Sequence, residues 1–203
     1  MERPGPKPAD EDADGVTEAE ILEWVRSCVW SGRYEPEEVG WSIEDQLFEG
    51  DEVDGDWLRQ VIVREFAAKR EAEKAWPRVT DCDRLDRAFE TLRRRGGIAL
   101  HVAGYTQADG LAEVEDAYLE AGGEDSGYAG HCFYTEQDQE GALDGGGLYI
   151  GFGHLSGDDA KGVEFGQMVR AALEGEGLVV EWDGTIRTRL YVNGFRWQRR
   201  SPL

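Results

Sequence analysis

Between Thr17 and Leu92 the apolar residues fall three and four positions apart, the spacing that lines one face of an α-helix. Ile21, Leu22, Val25, Cys28 and Val29 make the first such stripe, and Thr17 precedes it as an N-cap with Glu20 at the capping-box distance. Pro36 in the first turn opens a second helix with Val39, Ile43 and Leu47 on one face. Leu58, Val61, Ile62 and Phe66 mark a third, which Pro77 stops. Asp81 or Asp83 caps a fourth, which carries Leu85, Phe89 and Leu92. That helix ends on Arg93, Arg94 and Arg95 before Gly96 and Gly97, cations and glycine being the residues that suit a helix C-terminus.

After Gly97 the period shortens. Ile98–Ala103, His131–Glu136, Leu148–Phe152, Leu178–Trp182 and Arg189–Phe195 are short runs rich in β-branched and aromatic residues, bounded by glycine, and read as strands. Helical stretches are predicted between them at 109–121 and 159–174, with a short turn at 137–144. Asp183-Gly184 predicts a tight hairpin joining the last two strands. The whole reads as an α+β protein: an N-terminal helical segment of about four helices, 16–96, packed on a five-stranded mixed sheet with flanking helices, 97–203. The two halves are expected to share one core, because the fourth helix leads into the first strand without a linker. Residues 1–15 carry three prolines and no large apolar side chain beyond Met1, and read as a disordered acidic tail.

Charge changes this picture in one respect. The 203 residues carry a formal charge of −21, with residues 96–185 holding 18 acids against 2 bases and residues 186–203 holding 5 bases and no acid. Nucleic acid needs an extended basic footprint, so direct binding to it is not expected. A basic protein partner suits such a field. The closing basic segment is expected to fold back over the acidic sheet half of its own chain, the alternative being that Trp197, beside Arg196, Arg199 and Arg200, is an exposed anchor. No apolar run is long enough to span a bilayer, no secretory leader is apparent, and three widely spaced cysteines suit reduced thiols in a cytoplasm.

The recognisable chemical motifs fail one by one. Asp10-Glu11-Asp12-Ala13-Asp14-Gly15 begins like a calcium loop, but its twelfth position is Ile21 where a bidentate glutamate is required. Gly151, Gly153 and Gly157 miss the dinucleotide fingerprint by one residue, and Asp158 and Asp159 stand where a pyrophosphate would lie. His131 and Cys132 are neighbours on a strand and point to opposite faces, so they form no dyad. His101 on a neighbouring strand is in principle within reach of Cys132, but no sequence context singles out that pair, and a buried structural cysteine is the preferred reading. Neither zinc-ligand spacing nor a familiar hydrolase or NTPase signature is present, and no metal or cofactor is expected.

Two polar clusters leave the first two strands: Tyr105 to Gly110 and Tyr134 to Asp138. Strand ends in α/β structure are where pockets form, so His101, Tyr105, Gln107, Tyr134, Gln137 and Asp138 are the candidate ligand-binding residues, with His101 as a possible acid or base. Thr106, Asp109 and Asp138 also read as helix caps.

The second half resembles an uncharacterised bacterial family, common in high-GC actinomycetes and known only as a domain of unknown function. The resemblance rests on Gly97 to His101, Ala103 to Thr106, Asp109-Gly110, Cys132 to Tyr134, Gln137-Asp138, Gly145 to Gly153, Val180 to Thr185 and Phe195 to Arg200. It covers roughly residues 85–200, with the helical N-terminal half more loosely similar, and His131 and Glu136 depart from the family's commoner residues. The family implies a fold and no activity. The function expected is therefore a non-catalytic acidic protein that engages a basic partner. The alternative is a small-molecule binder or enzyme with its pocket at the ends of the first two strands.

Overall fold

The computed structural model describes residues 16–46 and 53–201. The acidic tail, its calcium-like segment and Leu47 lie outside the described residues. Four helices come first: α1 (Glu18–Ser31), α2 (Pro36–Gln46), α3 (Gly55–Glu73) and α4 (Asp81–Arg94). Thr17 caps α1 in a full capping box with Glu20, as its spacing requires. At α4 the cap is Thr80, one residue before Asp81 and three before Asp83, the two expected acids. Its hydroxyl accepts from the Asp83 backbone N–H at 3.2 Å while Asp83 accepts from the Thr80 N–H at 2.8 Å, so Asp83 is the third helical residue and completes the box.

The sheet half alternates β1 (Gly97–Leu100), α5 (Gln107–Glu120), β2 (Gly130–Phe133), α6 (Glu136–Leu143), β3 (Leu148–His154), α7 (Asp159–Gly175), β4 (Val179–Glu181) and β5 (Leu190–Asn193). Their order is β1-β2-β3-β5-β4, with β1 and β2 parallel and the other pairs antiparallel. The fold is α+β. β1 is shorter than the apolar run suggests because the chain turns at Val102, whose φ of 52° is costly for a β-branched side chain. Its neighbour holds the turn, the Ala103 N–H donating to the Tyr134 carbonyl at 2.9 Å.

β4 and β5 do not meet in a tight hairpin. The eight residues between them fold into an arch in which the Trp182 indole N–H donates to the Thr185 and Thr188 carbonyls, while Asp183 accepts from both threonines. Asp183-Gly184 turns inside that arch, and side-chain hydrogen bonds replace the ladder that a two-residue loop would need.

Buried apolar side chains gather in two main clusters. Ile21, Val25, Val39, Ile43, Leu58 and Phe66 join α1, α2 and α3. The face of α4 (Leu85, Phe89, Leu92) packs with α7 on one side of the sheet, over Cys132, Ile150, Leu190 and Val192. A smaller group of Ala103, Val114 and Phe133 lies under α5 on the other side. After β5 the chain runs as a strap, Phe195–Ser201. It crosses back to the helical half, and Trp197 donates its indole N–H to the Ser31 carbonyl at 3.1 Å. Gly32 permits this approach: a Cβ there would lie 2.5 Å from the Arg199 carbonyl oxygen, and its φ of 73° suits glycine. Arg189 of the basic segment pairs with Asp138 in the sheet half, but the strap folds back over α3 and α4 and not over the sheet. Its partners are Glu73, Asp81, Asp83 and Asp86 on α3 and α4. Trp197 is buried and is no exposed anchor.

Candidate functional site

The candidate residues at the strand ends part into three pairs. His101 and Tyr134 lie on the α4 side of the sheet, Gln107 and Asp138 meet at the strand ends, and Tyr105 and Gln137 are exposed. Asp138 is 7% exposed and heavily engaged. It completes the α6 capping box with Thr135, accepts from the Gln107 amide at 3.2 Å, and takes Arg189 through both carboxylate oxygens at 2.8 and 3.0 Å. Arg189 in turn lies over the Tyr149 ring at 4.7 Å, an arrangement that suits a guanidinium against an aromatic face. Gly151 leaves Gln107 its room, since a Cβ there would stand 2.9 Å from the Gln107 Oε1. The arrangement ties α5, α6 and β5 together, with the Asp138 carboxylate already shared among its neighbours.

His101 stacks on Phe89 with ring centroids 4.6 Å apart, and its Nδ1 stands 3.2 Å from the Tyr134 hydroxyl. Its Nε2 faces Asp86 at 3.6 Å, and Asp86 holds Arg199 of the strap bidentately at 2.7 and 3.0 Å. The tautomer with Nε2–H toward Asp86 lets the Tyr134 O–H donate to Nδ1. Burial, helped by Arg199, lowers the His101 pKa to about 4 against the pull of Asp86, so the ring is neutral near pH 7. Burial likewise raises the Tyr134 pKa above its ordinary value and pushes the Cys132 thiol up to about 12. Neither is a ready nucleophile, and the ring partners of His101 are Phe89 and Tyr134. The chain Tyr134–His101–Asp86–Arg199 fastens the strap to the end of β1.

Sequence reasoning missed a groove of about 1090 Å³ between α1, the C-terminal end of α6 and the strap. Trp24 and Trp30 reach it from α1, Trp76 from the turn after α3, and Trp197 from the strap. The indole N–H groups of Trp30 and Trp197 are spent on Glu65 and on the Ser31 carbonyl, which leaves these rings to present apolar surface. Glu23, Glu140 and Asp144 supply carboxylates, and Arg26 and Arg196 supply cations. Four of the seven tryptophans of the chain therefore line one surface. The available signal was that count of tryptophans, but their positions, 24, 30, 76 and 197, share no sequence window.

Helical half, sheet and strap form a single arrangement that one family model spans from end to end. The chain belongs to the family described as Domain of unknown function (DUF6891), which matches residues 14–201. It matches no curated protein and no solved structure. The DUF6891 match begins well before the region of resemblance at 85–200 and takes in α1, so the groove, the Asp138 arrangement and the His101 chain all lie inside the domain. Among the described residues of this DUF6891 domain no three His, Cys, Asp or Glu side chains are grouped to hold a metal ion, and no helix is long and apolar enough to cross a membrane.

Proposed function

We propose that this DUF6891 domain is a non-catalytic interaction protein whose acidic surface engages a basic protein partner, in a cytoplasmic setting that keeps its three thiols reduced. The observation that carries this reading is the makeup of α5 and the turn after it. Residues 107–126 hold seven acids and no base, and Leu111 and Leu119 stand more than half exposed among them. An acidic face interleaved with exposed leucine matches a surface that is cationic and partly apolar. Arg199 and Arg200 of the strap, meanwhile, are spent within the chain on Asp86 and Asp83. The direct test is affinity purification with wild-type protein and with a Glu115→Lys, Asp116→Lys, Glu120→Lys variant. A basic protein retained at moderate salt by the wild type, released at ~1 M salt and not retained by the variant, supports the reading. Retention that ignores both salt and variant overturns it.

A small molecule bound at the ends of β1 and β2 is the competing reading, favoured by the stack of Arg189 over Tyr149 beside Gln107. It requires a ligand to share Asp138 with Arg189. A small mass retained in native mass spectrometry and lost in Arg189→Met would move the weight to it.

A further inference from the structure

The two sides of the sheet are covered unequally. α4 and α7 pack on one, over Ile150, Val180, Leu190 and Val192, while the other carries α5 above Ala103 and Phe133. Beyond α5 on that side the register fixes what stands on the strands. Tyr149, Tyr191 and Glu181 form one cross-strand row over β3, β5 and β4, and Asn193 and Val179 form the next. Val179 is 62% exposed and Tyr149 43%, so the apolar part of this floor meets solvent. The Tyr191 hydroxyl donates to the Gly146 carbonyl at 2.9 Å, and Arg189 at the inner border is held by Asp138.

α5 walls this floor on one flank. Gln107 leans toward β3, where a Cβ on Gly151 would stand 2.9 Å from its Oε1, while Glu113 turns the other way to accept from the Gly104 N–H at 2.8 Å. At 3.6 residues per turn, Leu111, Glu115 and Tyr118 fall within about a quarter turn of Gln107, on the β3 side. Strands about 4.8 Å apart put β3 and β4 about 10 Å from each other, the breadth of one helix with its side chains. Glu181 accepts from the neutral Asn193 amide at 2.7 Å, and neither it nor Glu115 is paired with a cation among the described residues. Charge then selects among occupants. A second copy would bring a charge of −21 to this face, and residues 1–15 hold five acids against two bases.

We infer that this shelf seats an amphipathic helix of the basic partner, its apolar side chains on Tyr149, Tyr191, Val179 and Leu111 and its lysines or arginines toward Glu115 and Glu181. The inference rests on the basic-partner reading above and gives it a place and a secondary structure: the partner supplies the second helix of this layer.

The test titrates the full chain at about 0.15 M salt with two peptides of equal composition, each about fourteen residues and ~21 Å long as a helix. One sets leucine at i, i+3, i+4 and i+7 among lysines, and the other alternates leucine with lysine. Backbone amide shifts locate binding, and circular dichroism follows helix formation. Leu111→Gln with Val179→Thr removes apolar contact at two exposed positions, and urea unfolding checks that the variant folds as wild type does. The helix-period peptide should bind saturably, gain helix, and shift the amides of Leu111, Tyr149, Val179 and Tyr191. Its affinity should fall about tenfold or more in the variant, and the alternating peptide should bind wild type about tenfold more weakly. Equal binding of the two peptides, or preference for the alternating one, overturns the helix. Affinity unchanged in Leu111→Gln, Val179→Thr but lost in the α5 triple lysine variant overturns the shelf and leaves the basic-partner reading intact. Absence of saturable binding also overturns the shelf, and the affinity purification above then decides the basic-partner reading by itself.

Discussion

α5 and the closing strap are both segments of single-sign charge, and the fold treats them oppositely. In the strap, Arg199 reaches Asp86, Arg200 reaches Asp83 and the Pro77 carbonyl, and Trp197 is buried between the two apolar clusters. On α5 only the acid of the first turn is used inside the helix start, where Asp109 completes the Thr106 capping box, and Glu113 accepts from the Gly104 N–H. Glu115, Asp116 and Glu120 stay in solvent with no base on their helix. A charge that pairs within the chain becomes architecture, and one that does not becomes a field directed outward. The two segments therefore differ in what their mutation should disturb: stability for the strap, association for α5.

The largest effect should come from the strap's aromatic anchor. Trp197→Ala removes a buried indole that packs on Tyr134 and Phe195 and donates to Ser31, and should cost about 3–5 kcal/mol in urea unfolding. A loss below about 1 kcal/mol would show that the strap merely lies on the surface.

The elements themselves were legible in the sequence because each is locally overdetermined. Thr17 with Glu20, Pro36, and the stripe Leu85–Phe89–Leu92 all say the same thing at short range, and the structure agrees with them. What the sequence did not show is set by distance and by backbone geometry. Nothing local marks Val102 as the residue that turns β1, and Thr80 was passed over because two acids follow it. The Asp183-Gly184 pair is a turn signal whose neighbours Trp182 and Thr188 divert it into an arch. Among the candidate residues, Gln107 and Asp138 meet, but Arg189, which Asp138 also holds, lies 51 residues beyond it and could not be read from the strand ends. The destination of the strap was misread for the same reason: net charge over ninety residues pointed to the sheet half, while four specific carboxylates on α3 and α4 decided it.

Acid should act on both sides of the sheet. His101, near the strap, and His131, whose ring stacks on Phe133 and whose Nδ1 has no partner, are each held near pKa 4 chiefly by burial. The folded pKa lies below the unfolded value of 6.5, so the unfolded chain binds the proton first. Stability is therefore whole above about pH 6.5 and falls as the pH drops towards about 4, by on the order of 2 kcal/mol for the better buried His131. Denaturation midpoints at pH 7 and pH 4.5 measure this. His131→Leu should flatten the dependence, and an unchanged slope would show that carboxylates dominate it.

A smaller effect is expected where the strap's salt bridge is cut. Arg199→Leu frees Asp86, which is partly solvated, and should cost about 1 kcal/mol. The sharper readout is the His101 pKa, which should rise, because the repelling guanidinium has gone and Asp86 is left to the imidazole. An unchanged His101 titration by NMR would break the proposed chain from Arg199 to Tyr134. The smallest stability effect should come from α5: the Glu115, Asp116, Glu120 triple lysine variant should unfold within about 0.5 kcal/mol of wild type. A large loss there would erase the contrast between the two segments.

The span of the strap's contacts carries a kinetic meaning. The bond from Trp197 to Ser31 joins positions 166 apart, and Lys69, fully buried, is sealed by Ser201 from 132 residues away. Loops of that length are entropically expensive to close, while α1, α2 and α3 assemble from neighbours in sequence. Docking of the strap should then fall after the rate-limiting step of folding, so its mutations quicken unfolding and leave the refolding rate nearly untouched. The protein would be assembled by its local contacts and kept by its most distant one, which acts as a latch on lifetime.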